Sequence, residues 1–364
     1  MASSFKIIDP KDIVSTRNLL HEAIPITASI ISGTYGTNNI KSYSHGMFQS
    51  VYDYPYLSSS ANHILDLTAG YANSSVLSGT TSRTQQSKKI NIYNEMAQVL
   101  AGFDQDGNLR TFDQDGDLTG GTKSTDCIFI NLARLLSKDE IKKGSFTLEL
   151  GTGTTYTAPF NTRVSLTDAS GSNGFKVNSP AGEYGILFAK NTKGTPLAAL
   201  AGGGGIKAGL IYYQAGIAVI SSSVFAASSA GGILTAAAPF RGGAGASPTT
   251  EGIAAVLTGS TINTVCTEFR HRVHNLQFNN TTELNSTIYF ARINHNDFNY
   301  SANPTYLSAS KMVVKNNSTD SPVSYATAVG LYSADNELLA VAKLSEPLRK
   351  DPSTEFTLRV RLDY

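Results

Sequence analysis

The densest chemistry in the sequence is a tandem repeat. Phe103-Asp104-Gln105-Asp106-Gly107-Asn108-Leu109 is followed by Phe112-Asp113-Gln114-Asp115-Gly116-Asp117-Leu118. Closely spaced carboxylates are the donors a hard cation such as calcium requires. A helix–loop–helix calcium loop, however, places glycine sixth and a bidentate Glu twelfth. Counted from Asp104 or Asp113, glycine is fourth here and the twelfth residue is Asp115 or Ser124. Asp-Gly is also a strong turn dipeptide, so two successive turns account for the repeat and no metal site is assigned.

Histidine is the other ligand type. His271 and His274 lie three apart, with His295 nearby. On a strand, positions three apart face opposite ways and cannot reach one ion, whereas a helix would bring them together. The segment reads as a strand, so no metal ligand is assigned. His21, His45 and His63 are scattered singly. The two cysteines, Cys127 and Cys266, lack Cys-x-x-Cys spacing and read as small buried hydrophobes. The glycine cluster Gly202 to Gly205 is not followed by the Gly-Lys-Ser/Thr of a phosphate loop, and no dinucleotide fingerprint, nucleophile elbow or His-Glu-x-x-His helix is present. No catalytic residue and no cofactor is assigned, and the chain is read as not being an enzyme.

The surroundings of these residues narrow the choice further. Lys and Arg number 29 against 28 Asp and Glu, a net charge of +1, and only 16% of the 364 residues are charged. A neutral surface offers no long-range attraction to nucleic acid or anionic lipid, which argues against an electrostatic nucleic-acid binder. Seventeen Tyr and 16 Phe supply a core and argue against disorder. The opening Met-Ala-Ser-Ser-Phe-Lys-Ile-Ile-Asp-Pro has no basic segment followed by an apolar one, so no export leader is read there. From Ala208 to Phe240 no residue is charged. That is long enough to span a bilayer, but Gln214, Ser221-Ser222-Ser223 and Gly231-Gly232 interrupt it, and Tyr212 and Tyr213 sit inside it. The stretch reads instead as strands that are buried or covered by a partner. Ile211, Tyr212, Tyr213, Val219 and Phe225 are its candidate interaction residues. A charge at Ile211 or Val219 is expected to block assembly while leaving the isolated chain folded.

The elements that must position these residues fall into three regions. Residues 1–154 form an N-terminal mixed scaffold, 155–262 a Gly/Ala-rich, low-charge insertion, and 263–364 a C-terminal β region that completes the scaffold. Apolar spacing predicts short helices over Asp12–Glu22 and Ile92–Leu100, and a capping box at Ser137–Glu140 with Gly144 beyond it predicts another over Lys138–Lys143. Phe146–Leu150 alternates as a half-buried strand. His271–Phe278 and Ser286–Ile293 flank the turn-rich Asn279–Glu283 and predict a hairpin. Thr327–Tyr332 and Glu337–Leu344 predict a second one around Ser333–Asn336. Phe356, Leu358, Val360 and Leu362 alternate with Thr357, Arg359, Arg361 and Asp363 in a closing strand. The predicted fold is mainly β with a few short helices, a β-sandwich-like scaffold carrying a Gly-rich strand-and-loop insertion.

Several stretches resemble virion structural proteins of contractile-tailed phages, particularly those infecting marine cyanobacteria. They are Asn39-Ile40-Lys41-Ser42-Tyr43-Ser44-His45-Gly46-Met47-Phe48-Gln49-Ser50-Val51-Tyr52-Asp53-Tyr54-Pro55-Tyr56, the run Phe278 to Phe290, Asp297 to Tyr306, and Val329-Gly330-Leu331-Tyr332 with Asn336 to Leu344. The similarity covers roughly the first 150 and last 100 residues, with the Gly-rich middle variable, as expected of an insertion on a scaffold. The resemblance implies a structural subunit of the phage tail, at the baseplate, made in the host cytoplasm and carried in the virion. Its partners would be other virion proteins and copies of itself, with no nucleic acid and no membrane span. A neck, collar or capsid-decorating protein has the same composition. A receptor-binding adhesin is the remaining alternative, although the repeats of a long trimeric fibre are missing.

Overall fold

The computed structural model describes residues 5–27, 37–81, 83–118, 120–132, 140–154, 159–198, 205–241, 250–301, 307–308, 311–312, 317 and 319–364. In chain order the elements begin with β1 (Ile13–Thr27), β2 (Ile40–Ser42), β3 (Gln49–Tyr52), β4 (His63–Tyr71) and α1 (Gln86–Leu100). There follow β5 (Phe112–Asp113), β6 (Lys123–Ser124), β7 (Asp126–Asn131), β8 (Glu140–Ile141), β9 (Thr147–Gly151), β10 (Arg163–Thr167) and α2 (Gly171–Gly174). Next come β11 (Tyr184–Lys193), β12 (Ile206–Tyr212), β13 (Ile217–Ser221), α3 (Ile253–Gly259), α4 (Ile262–Arg272) and β14 (Val273–Ile293). The last strands are β15 (Leu307–Ser308), β16 (Lys311–Met312), β17 (Ser324–Tyr332), β18 (Leu338–Lys350) and β19 (Phe356–Asp363). The fold is mainly β, as the alternating segments predict.

Two compact units divide the chain: Leu20–Thr282, and Met1–Leu19 together with Glu283–Tyr364. The expected boundaries near 154 and 262 fall inside the larger unit. There the strands follow one antiparallel path, β14-β9-β10-β11-β12-β13-β7-β4-β3-β2. β10 pairs with β9 from Arg163↔Gly151 to Thr167↔Thr147, and β13 pairs with β7 from Ile217↔Asn131 to Ser221↔Cys127. The Gly-rich middle therefore supplies the centre of the sheet rather than an insertion on a finished scaffold. Glycine within a strand permits close approach of neighbouring backbone.

Continuous apolar runs explain the central strands. In β7, Cys127 to Ile130 are all buried, and in β4 so are Leu67 to Tyr71. A run buried on both faces needs cover on both. Helix α1 supplies part of it, packing on β4 with Lys89, Ile92, Tyr93, Ala97 and Leu100 buried along one stripe. The approach is close enough that a Cβ at Gly70 would lie 2.4 Å from the Lys89 carbonyl oxygen. Tyr93 meets Phe112 and Phe129 at ring-centre distances of 5.4 and 6.4 Å and donates its hydroxyl to the Ser124 carbonyl.

Three local expectations are corrected. Asp12–Glu22 is not a helix: a short 3-10 turn at Pro10–Asp12, capped by Asp9, leads directly into β1. Of the helix expected at Lys138–Lys143, residues 138–139 lie outside the described residues, and Glu140–Ile141 is strand β8, paired with Thr281 and Asn280. Gly144 then turns with φ +80°. Sheet pairing has overridden the local capping signal. His271–Ile293 is not a hairpin either. Asn279–Glu283 continues β14 without a turn, because Asn280 and Thr281 have strand partners in β8. His271 belongs to α4.

In the smaller unit, β14 pairs with β19 from Ser286↔Asp363 to Ile293↔Phe356. The expected hairpin of β17 and β18 is present, running from Ser324↔Lys350 to Tyr332↔Leu338. The alternation of β19 is also seen, with Phe356, Leu358, Val360 and Leu362 half-buried and the intervening residues exposed. Among the described residues, no helix is long and apolar enough to cross a membrane.

Candidate functional site

The two halves of the Asp-Gly repeat adopt different arrangements. In the first, Asp104 Oδ1 accepts from the backbone N–H groups of Asp106 (2.9 Å) and Asn108 (2.7 Å), and Gly107 has φ +80°. The Asn108 N–H holds the Asp104 carboxyl below its usual range. This half is a self-satisfied turn. In the second, Asp113, Asp115 and Asp117 each bring a carboxylate oxygen within 4.8 Å of the others. Asp113 is buried, accepting from Leu118 N at 2.8 Å and lying 3.2 Å from Lys123 Nζ, while Asp115 lies 3.4 Å from Lys207 Nζ. Among the described residues, these three carboxylates are the group that could hold a cation, and two lysines already stand against them.

The histidines are separated. His271 is half-buried at the end of α4, where burial and then Arg270 pull its pKa down to about 4. His274 on β14 lies 2.9 Å from Glu149 Oε2 and beside Arg163. His295 is exposed and paired with Glu355 at 3.0 Å. Spacing alone did not show that a helix ends between His271 and His274. Cys127 and Cys266 are fully buried, and burial, then Asp126, pushes the Cys127 thiol up.

One further cluster has the residue types of nucleophilic catalysis. Ser50 donates to Asp66 Oδ1 at 2.5 Å, and His63 Nε2 lies 2.6 Å from the same oxygen. The carboxylate therefore stands between hydroxyl and imidazole. Activation of a serine needs the imidazole in the middle, taking the hydroxyl proton. In this arrangement the three residues tie β3 to β4, where Ser50 and Asp66 are register partners.

The five candidate interaction residues are all interior. Ile211, Tyr212, Tyr213, Val219 and Phe225 are at most 2% exposed and belong to the core of the larger unit. The run's strands β12 and β13 lie in the middle of the sheet, and a charge at any of these five buried residues would strike the fold before any partner. Tyr213 has an internal role. Its hydroxyl donates to Asp168 Oδ2 at 3.1 Å, and Asp168, fully buried, also accepts from Gly144 N at 2.7 Å and Phe146 N at 2.9 Å. Burial raises the Asp168 pKa against the pull of these donors. A Cβ at Gly185 would lie 2.1 Å from the Tyr213 hydroxyl, so glycine makes room for it.

Exposed apolar surface is concentrated elsewhere. Among the described residues, twelve of the eighteen exposed large hydrophobics lie in the smaller unit, which holds under a third of the chain. The described residues buried there are polar: Ser286, Thr287, Ser324, Lys350 and Asp351. At the β17–β18 hairpin, Phe5 meets Tyr332 edge to face with ring centres 4.9 Å apart. Tyr332 is 43% exposed, Leu338 54% and Val341 64%. The sequence carries a faint sign of this surface: β17 contains no charge, yet its alternation is too short to say which face is covered. Compared with family models, curated proteins and solved structures, the chain has no match.

Proposed function

We propose that the chain is a structural subunit of a contractile phage tail, at the baseplate, acting through protein–protein contacts rather than catalysis. One observation carries the reading: among the described residues, the smaller unit buries polar groups and turns large hydrophobics outward. Exposed apolar surface of that kind marks an interaction site in a protein built for assembly. The sequence resemblance supports a tail or neck component, and within that range the baseplate is the place proposed. The Ser50–Asp66–His63 order, with the carboxylate in the middle, also favours a structural role over a hydrolytic one.

Immunogold labelling of purified virions, with mass spectrometry of the particles, tests the proposal. Label at the distal end of the tail is the expected result. Label at the head–tail junction or on the shell would replace the baseplate with the neck or capsid alternative. Binding of the purified chain to host cells would favour the adhesin. Absence from particles would overturn the structural role.

A further inference from the structure

Strand β17 (Ser324–Tyr332) pairs along one edge with β18, and among the described residues its other edge has no strand beside it. Natural proteins guard open edges with charge and proline. β18 carries both, in Lys343, Glu346, Pro347 and Arg349. β17 carries neither. This nine-residue edge carries no charge and no proline, although its register against β18 shifts between Ala326 and Ala328 and between Leu331 and Tyr332, and such an edge is a pairing surface. A hairpin of two strands alone is marginal in water.

The strand also matches itself. Tyr325-Ala326-Thr327-Ala328-Val329-Gly330-Leu331 runs large, small, β-branched, small, β-branched, small, large, so its size pattern is the same from either end with Ala328 at the centre. We propose that β17 is an interface between two copies of this chain, joined edge to edge and antiparallel about a two-fold axis at Ala328. Tyr325 then faces Leu331 of the second copy, Thr327 faces Val329, Ala326 faces Gly330, and Ala328 faces itself. Opposed side chains of this kind are the unit of sheet stabilisation. A two-fold contact uses one surface twice, which a palindromic strand satisfies.

The residues are placed for it. Tyr325 is 51% exposed, and Thr327, Ala328 and Gly330 are exposed. Charge does not oppose it: across the smaller unit eleven Lys and Arg balance eleven Asp and Glu, so two copies meet without net repulsion. The pairing turns two hairpins into one four-stranded sheet, β18-β17-β17-β18. The inference goes beyond the tail reading and holds wherever in a virion, or outside one, the chain works.

Sedimentation equilibrium on the purified full chain tests it. The wild type is expected to be a dimer. Ala328→Glu and Ala328→Lys are each expected to weaken self-association by at least about 100-fold, since like charges then face each other across the axis, with unchanged circular dichroism. Mixing the two variants is expected to restore the dimer, because opposite charges then meet. Ala328→Cys should cross-link copies under mild oxidation. The native Cys127 and Cys266, both fully buried, do not compete. A monomeric or trimeric wild type, an Ala328→Glu chain that stays dimeric, or an Ala328→Cys chain that does not cross-link would each overturn the proposal. The cross-link decides the matter even if the charged variants misfold.

Discussion

The two units order the same kind of chain in different ways. The larger surrounds long uncharged strands with one continuous core, from Val51 to Phe278. The smaller is laced by ladders and polar clamps. The contrast is clearest in two buried lysines. Lys89 in the larger unit donates to the carbonyls of Thr84, Leu257 and Ser260 beneath apolar packing. Lys350 in the smaller unit donates to the His295 carbonyl at 3.1 Å, Asn299 Oδ1 at 2.7 Å and the Asp351 carbonyl at 2.7 Å. The first stitches helix α3 to α1 inside a core. The second gathers loops in a unit where, among the described residues, no large hydrophobic is buried. A unit stabilised in the second manner keeps its hydrophobic side chains for the outside, so it suits contact with other molecules.

The largest effect that tests this contrast is a charge in the core. Val219 is 1% exposed in β13, at the centre of the sheet. Val219→Asp is expected to cost about 4–5 kcal/mol, a large share of a domain's stability of about 5–15 kcal/mol. Chemical denaturation reads it directly. A folded, fully stable Val219→Asp chain would remove the core from this strand and return the segment to the surface.

Lys89→Met comes next. It leaves three carbonyls without their donor in a dry site, at about 3 kcal/mol or more. Burial pulls the Lys89 pKa down to about 8. Between that value and 10.5 the unfolded chain holds a proton that the folded chain has released, so this group's contribution to stability rises with pH across that window. Denaturation at about pH 8 and about pH 10 should show a rise in the wild type that Lys89→Met reduces.

How much of this was legible in the sequence depends on the range of the interaction. Period-2 alternation marked β9 and β19, whose own residues carry the pattern wherever the partner lies, and the turn Ser333–Asn336 marked the β17–β18 hairpin, whose two strands are neighbours in the chain. Apolar spacing marked the last two turns of α1. Turn-prone Asn279–Glu283 misled, because its partners Glu140 and Ile141 lie about 140 residues away and hold it straight. The capping box at Ser137–Glu140 misled for the same reason. The uncharged run Ala208–Phe240 fitted burial and a covered surface equally well. Only the pairing of β12 and β13 between β11 and β7 separates the two. Ser50, Asp66 and His63 were invisible as a group because their order in space, not in the chain, decides what they can do.

A smaller, pH-dependent effect belongs to His271. With its pKa held at about 4 against 6.5, the folded chain stays unprotonated where the unfolded chain takes a proton. Stability is therefore full above about pH 6.5 and is lost as the pH falls toward 4. Partial exposure holds the effect to about 1–2 kcal/mol. His271→Asn should flatten this part of the acid limb in denaturation measured from about pH 7 to about pH 4.

The smallest expected effect sharpens the comparison most. Leu338 stands at the hairpin end of β18 opposite Tyr332 and is 54% exposed. More than half of its surface stays in water on folding, so Leu338→Asp should change stability by no more than about 0.5 kcal/mol. Val219→Asp makes a similar chemical change with an effect roughly ten times larger, because that site has no water to receive the charge. If the smaller unit's apolar surface is made for contact, Leu338→Asp chains should melt like the wild type yet enter particles poorly when they compete with it during assembly. A variant that destabilised the chain as Val219→Asp does would show that Leu338 is packed after all, and the distinction between a covered core and an outward apolar face would fail at that residue.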